Sequence, residues 1–304
     1  MFSEEGAGAR RIHKLASPNL WQAGNMIDWG RLQWGILLLS VLLLAASGCG
    51  PATSLEPAPT PVRVLAEKYA TSGTYTETLT IDGVVREFLI HIPPSYRLDT
   101  PLPLVINMHG RGATVFHQER LSAMFTKADE EGFIVASPQA VGRPATWWSA
   151  PGPLGQADLE FFQAMIERME SQINIDPTRI YATGFSNGGA MANRLACAMS
   201  DKIAAIAPVA GAHPQMGSCQ PMLPVSVIVF HGSRDGTVPY LGDGGYLPPV
   251  PAWAAAWARR NDCDAKPAVD HPHTTATRET RTGCSGDAAL VLYTIEGGGH
   301  DWPG

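Results

Sequence analysis

The sequence predicts an α/β fold, a mostly parallel sheet flanked by helices and opened by an antiparallel hairpin. Three observations carry this expectation. Continuous apolar runs of strand length alternate with helix-length runs, an Asp-Gly pair joins two alternating stretches, and a glycine-framed serine stands where a strand passes into a helix. With 304 residues, 45% of them hydrophobic, the chain is long enough for one large domain with a substantial core. Its formal charge of -6, with no Lys/Arg cluster interleaved with aromatics, predicts no nucleic-acid partner.

Taken in order, residues 35–47 (GILLLSVLLLAAS) are short for a bilayer span but fit a signal-peptide core. The small residues Ala46, Ser47 and Gly48 precede Cys49, a pattern that looks like a bacterial lipoprotein cleavage site with Cys49 lipidated. Residues 1–25 make a long lead-in, and Met26 followed by Arg31 is a more ordinary start, so residues 1–48 are read as a signal peptide with an over-annotated N-terminus. Residues 49–70 are rich in Pro, Ala and Thr and read as a stiff spacer. The expected product is secreted, held at the cell envelope by its lipid alone, with a catalytic domain over residues 71–304.

That domain opens with alternating stretches at 74–81 and 84–92, joined by Asp82-Gly83 as a hairpin. Strands follow at 104–108, 133–137, 180–185, 203–209, 225–230 and 290–295, and helices at 118–131, 158–173 and 189–199, with Asp158 as an N-cap. Uninterrupted apolar strands predict helices on both faces of the sheet. The polar stretch between Cys263 and Cys284 reads as an exposed loop. Four cysteines remain after Cys49, an even number suited to an oxidising compartment. Three pairings are open. Because each close pair brackets one excursion from the core, Cys197 with Cys219 and Cys263 with Cys284 are favoured.

Gly184-Phe185-Ser186-Asn187-Gly188 is a G-x-S-x-G pentapeptide after an apolar strand, the context of a nucleophile elbow, with Ser186 pushed out at the sheet edge. A serine of this kind needs an acid and a base later in the chain. Asp235 lies on a glycine-framed loop just past the strand at 225–230 and is the expected acid. His300 follows Gly297-Gly298-Gly299 after the last strand and is the expected base. His271 and His273 are rivals for that role without a strand to aim them, and no further ligands accompany their H-x-H pattern, so no metal site is expected. Oxyanion donors are expected from the amide of Asn187 and, after His109-Gly110, from the amide of Arg111. Trp147, Trp148 and Trp302 fall on loops at the same edge, where they either wall a cleft for an acyl group or cover the core.

Residues 181–189 (YATGFSNGG), 231–235 (HGSRD) and 293–304 (YTIEGGGHDWPG) together resemble secreted esterases of the polyhydroxybutyrate depolymerase and feruloyl esterase family, a match over residues 74–304. The resemblance implies an α/β-hydrolase fold, no cofactor, and ester hydrolysis through an acyl-enzyme carried by Ser186, Asp235 and His300. Its substrates would be polyesters or feruloyl and acyl esters of polysaccharides. Relatives of this kind continue into a final helix where this chain stops at Gly304, so a C-terminally truncated domain is expected. Two readings from other classes stand beside it: a surface lipoprotein that binds without catalysis, and a secreted serine peptidase.

Overall fold

Threonines alternate with Tyr75, Glu77, Leu79 and Ile81 along β1 (Gly73–Ile81), which pairs antiparallel with β2 (Val84–Ile92), Ile81 opposite Val84. The turn between them is Asp82-Gly83, with φ of 49° and 77°, the left-handed pair that a two-residue hairpin requires. In the computed structural model, which describes residues 67–211 and 219–303, a 3-10 turn at Glu67–Ala70 precedes this hairpin. The expected signal peptide, the expected lipidation site at Cys49 and most of the expected spacer lie outside the described residues.

Beyond the hairpin the chain runs through β3 (Leu102–Met108), α1 (Val115–Ser122), α2 (Met124–Glu131), β4 (Ile134–Pro138), α3 (Pro153–Gln172), β5 (Ile175–Phe185) and α4 (Asn187–Ala198). It continues with β6 (Ala205–Val209), β7 (Ser226–Gly232), α5 (Val250–Arg260), β8 (Ala268–His273), β9 (Ala276–Arg281) and β10 (Leu290–Ile295). The ten strands form one sheet in the order β1-β2-β4-β3-β5-β6-β7-β10-β9-β8. From β4 to β10 the neighbours are parallel, while antiparallel pairs flank them on both sides. All the parallel strands therefore end at one edge, and the loops that leave that edge build the site.

Three expectations need correction. The helix expected over 118–131 is two helices, broken at Ala123 with φ of 49°. The Glu119 carboxylate accepts the Phe125 N–H at 2.8 Å, capping the second helix from within the first. Next, α3 starts at Pro153, which suits a first helical turn because it has no N–H to leave unpaired. Asp158 is consequently not an N-cap. It is buried inside the helix, where Oδ1 accepts Arg86 Nη2 at 2.7 Å and Oδ2 accepts the Trp148 N–H at 2.8 Å. Third, most of the segment between Cys263 and Cys284 is the hairpin β8–β9, which pairs onto the free edge of β10. Its side chains are polar on both faces, so apolar periodicity gives no sign of a strand.

Helices lie on both faces of the sheet, as expected. The core lies between the sheet and α3, α4 and α5, where Ile180, Ile206, Val229 and Leu292 meet Leu195 and Trp257. On the opposite face α1 and α2 pack on β2, β4 and β3. There Val105, Tyr181, Ile228, Phe230, Met124 and Trp302 border an apolar hollow of about 360 Å³. Both expected disulfides are present, Cys197–Cys219 and Cys263–Cys284.

Candidate active site

Ser186 joins β5 to α4 with φ of 52° and ψ of -115°, outside the regions open to most side chains, and its N–H is fixed on Val209 O at 2.9 Å. Glycine is obligatory beside it: a Cβ on Gly188 would stand 2.2 Å from Met108 O, and one on Gly184 would stand 2.6 Å from the Gly188 carbonyl carbon. Close packing of strand, turn and helix thus holds the serine in its strained conformation.

Asp235 follows β7 and is buried. Oδ1 accepts the N–H groups of Thr237 and Val238, both at 2.8 Å, which shapes the turn. Oδ2 is turned the other way and accepts Nδ1–H of His300 at 2.8 Å. The His300 ring also packs on Phe185, the residue before the serine, with 4.8 Å between centroids. Its loop is stitched to the aspartate loop: Gly298 O accepts the Arg234 N–H at 2.9 Å, and Ser233 Oγ accepts the Gly297 N–H at 2.8 Å. A Cβ on Gly232 would lie 2.3 Å from the carbonyl oxygens of both Gly298 and Gly299, so β7 must end in glycine for the loops to meet.

Ser186 and His300 line one cavity of about 510 Å³ together with Arg111, Asn187, Ser149 and Tyr246. No hydrogen bond joins Ser186 to His300 in this conformation. The two oxyanion candidates, Arg111 and Asn187, therefore face the same space as the serine. The tryptophans do not. Trp147 is 1% exposed, packs on Phe162, and donates Nε1–H to His109 O at 3.0 Å, so it belongs to the core rather than to a cleft wall. Trp148 is 44% exposed and outside the cavity lining, while Trp302 borders the hollow on the sheet face. His271 and His273 lie on the exposed strand β8, bonded to Thr277 and Thr275. Among the described residues no three His, Cys, Asp or Glu side chains gather as a metal site.

Sequence reasoning missed His231. Its side chain is fully buried, with Nε2 2.8 Å from Val238 O and 3.3 Å from Asp235 Oδ2, making it a second imidazole against the same carboxylate. Burial pushes its pKa below the ordinary histidine value, which keeps it neutral. The signal was its place at the C-terminal end of a parallel strand, four residues ahead of Asp235.

The sheet order, the strand-turn-helix serine and the loops at the C-terminal edge are those of the α/β-hydrolase fold. No family model matches the chain. Among curated proteins it is 28% identical to a putative esterase, NocK, of Nocardia uniformis subsp. tsuyamanensis, over 88% of this chain and 89% of that protein. It is 31% identical to feruloyl esterase B of Piromyces equi over 71% of this chain, and spans 42% of that protein. It is 28% identical to a probable feruloyl esterase C of Aspergillus flavus, over 76% of this chain and 83% of that one. Among solved structures, an acetyl xylan esterase from Aspergillus awamori shares the fold with a TM-score of 0.60 at 18% identity, over 75% of this chain and 95% of that one. These relatives set the chain among carboxylic ester hydrolases.

Proposed function

We propose that the chain is a serine carboxylic-ester hydrolase working through an acyl-enzyme. His300 takes the proton of Ser186 as the oxygen attacks the ester carbonyl, Asp235 holds the imidazole in the required tautomer, and the amides of Arg111 and Asn187 receive the oxyanion. His300 then protonates the leaving alcohol, and water, activated by the same imidazole, releases the acid. The observation that carries this reading is the 2.8 Å bond from His300 to Asp235 beside a serine on an elbow that opens into the same cavity. Each oxyanion donor is worth about 3 kcal/mol in the transition state.

For substrate, the names of the relatives favour aromatic or acetyl esters of polysaccharides over polyesters, and a cavity of about 510 Å³ has room for an aromatic acyl group. Two disulfides support secretion into an oxidising compartment. The test is hydrolysis of p-nitrophenyl esters from acetate to octanoate, methyl ferulate and a polyhydroxybutyrate film by the chain and its Ser186→Ala variant. Serine-dependent turnover of ferulate or short acyl esters with an untouched film supports the reading. Serine-dependent clearing of the film replaces the substrate class, and turnover indifferent to Ser186 refutes the mechanism.

A further inference from the structure

We propose that His109 is a positioning residue that orients the peptide between Gly110 and Arg111, so that the Arg111 N–H points at the oxyanion of the Ser186 reaction. The proposal rests on the serine-esterase reading above and adds to it a residue with no contact to substrate.

The hydrogen-bond donors around the ring fix its tautomer. His109 is fully buried at the end of β3, and the backbone N–H of Ala140 lies 3.0 Å from Nε2. A backbone amide only donates, so Nε2 is the lone pair and Nδ1 carries the hydrogen. The Gln139 side-chain amide also donates to Nε2, at 3.0 Å, and its orientation is set by Oε1, which accepts the Val115 N–H at 3.1 Å. Nδ1–H is then free to donate to Gly110 O, 2.7 Å away. Burial lowers the pKa of this imidazole and keeps it in the neutral form that the arrangement needs.

Gly110 O also accepts the Ala113 N–H at 3.1 Å, so both of its lone pairs are engaged. The Gly110–Arg111 peptide is trans and planar, which makes its N–H point opposite to its C=O. Holding the oxygen by two donors therefore aims the Arg111 N–H, which has no partner among the described residues and belongs to a residue lining the serine cavity. The peptide lies beside the nucleophile, since a Cβ on Gly110 would stand 3.6 Å from Ser186 Cβ. Trp147 ties this donor to the other one. Its Nε1–H holds His109 O at 3.0 Å, and its own peptide groups clasp the Asn187 side chain, N–H to Oδ1 at 2.7 Å and Nδ2 to C=O at 2.9 Å. A donor fixed before reaction stabilises the transition state without reorganising, which is where an oxyanion amide gains its effect.

The test compares His109→Gln, His109→Asn and Trp147→Phe in the full chain, with p-nitrophenyl acetate turnover, inhibition by an alkyl boronic acid as tetrahedral mimic, and thermal unfolding. Glutamine reaches the Nε2 position and still accepts from Ala140, but it loses the donor to Gly110. Asparagine places an amide N–H near Nδ1 and keeps that donor. The expected result is that His109→Gln lowers kcat about 100-fold with KM within twofold, and weakens the boronic acid in parallel, while His109→Asn recovers at least tenfold of the loss. Trp147→Phe, which keeps a ring in the core, is expected to lower kcat about tenfold. Three results overturn the proposal: His109→Gln with kcat unchanged, His109→Gln and His109→Asn equally impaired in step with their melting temperatures, or a loss confined to KM. Should His109→Gln fail to fold, Trp147→Phe with the kcat and boronic-acid affinity of the wild type overturns it as well. Turnover that survives Ser186→Ala sinks the esterase reading instead, so the two failures are told apart.

Discussion

Asp235 divides its two carboxylate oxygens between separate tasks, one shaping a turn through the amides of Thr237 and Val238, the other facing His300. Asparagine can retain the first task through its carbonyl oxygen, but its NH₂ cannot accept the His300 proton. Asp235→Asn is therefore expected to lower kcat by about 10³- to 10⁴-fold through the wrong imidazole tautomer, with little change in near-UV circular dichroism. A matched loss of tertiary signal would assign the defect to folding instead. The buried imidazoles His109 and His231 make a second prediction at this scale. Burial depresses both pKa values in the folded state below the ordinary 6.5. The unfolded chain then binds the extra protons first, so stability is full above about pH 6.5 and falls as pH drops below it, by about 1.4 kcal/mol per unit for each group until its folded pKa is reached. Calorimetry from pH 8 to pH 5 is expected to show a falling melting temperature, with a shallower slope in His109→Gln. A flat profile would contradict the assignment of two buried neutral imidazoles.

At the scale of elements, the pair Arg86–Asp158 joins β2 to α3 and, through the Trp148 N–H, to the loop whose Trp147 clasps Asn187. Asp158→Ala leaves the Arg86 guanidinium buried without its counter-ion and is expected to cost about 3–5 kcal/mol, measured by urea unfolding. A cost under 1 kcal/mol would mean that water or a neighbour satisfies Arg86. Much of this level was legible in the sequence where the signal is local. The hairpin at Asp82-Gly83, the apolar strand β10 and the glycine-framed turn at Ser186 each write their geometry within a few residues. The break at Ala123 was hidden because the group that caps the second helix, Glu119, sits in the first. The β8–β9 hairpin was hidden because polar side chains occupy both faces and the edge of β10 supplies the pairing. Trp147 looked like a cleft residue because its loop leaves the right edge of the sheet, yet only the packing of α3 and α4 decides which way the ring turns.

For the molecule as a whole, the loops that carry Ser186, Asp235 and His300 leave strands β5, β7 and β10 at one edge of the sheet, with β6 between the first two, and the rest of the fold keeps that edge in register. The disulfides close the chain segments that lead into β7 and β10. Cys197–Cys219 and Cys263–Cys284 close loops of 22 and 21 residues, and each is worth about 3 kcal/mol by the loop-entropy argument. Reduction is thus expected to lower the denaturant midpoint markedly while leaving KM unchanged in the surviving folded fraction. An unaltered midpoint would show that the bridges add nothing to folding. The placing of Asp235 and His300 at one edge was readable because each falls just past a strand; the meeting of their loops through Gly232 and Gly298 was not, since it depends on parallel pairing between strands more than fifty residues apart.

The nucleophilic role proposed for Ser186 is tested most directly by a fluorophosphonate probe followed by peptide mapping. One adduct is expected, on the peptide bearing Ser186, formed in proportion to loss of p-nitrophenyl acetate hydrolysis and absent in Ser186→Ala. Hydrolysis at the wild-type rate by Ser186→Ala, or full inactivation with the adduct on another residue, would contradict it.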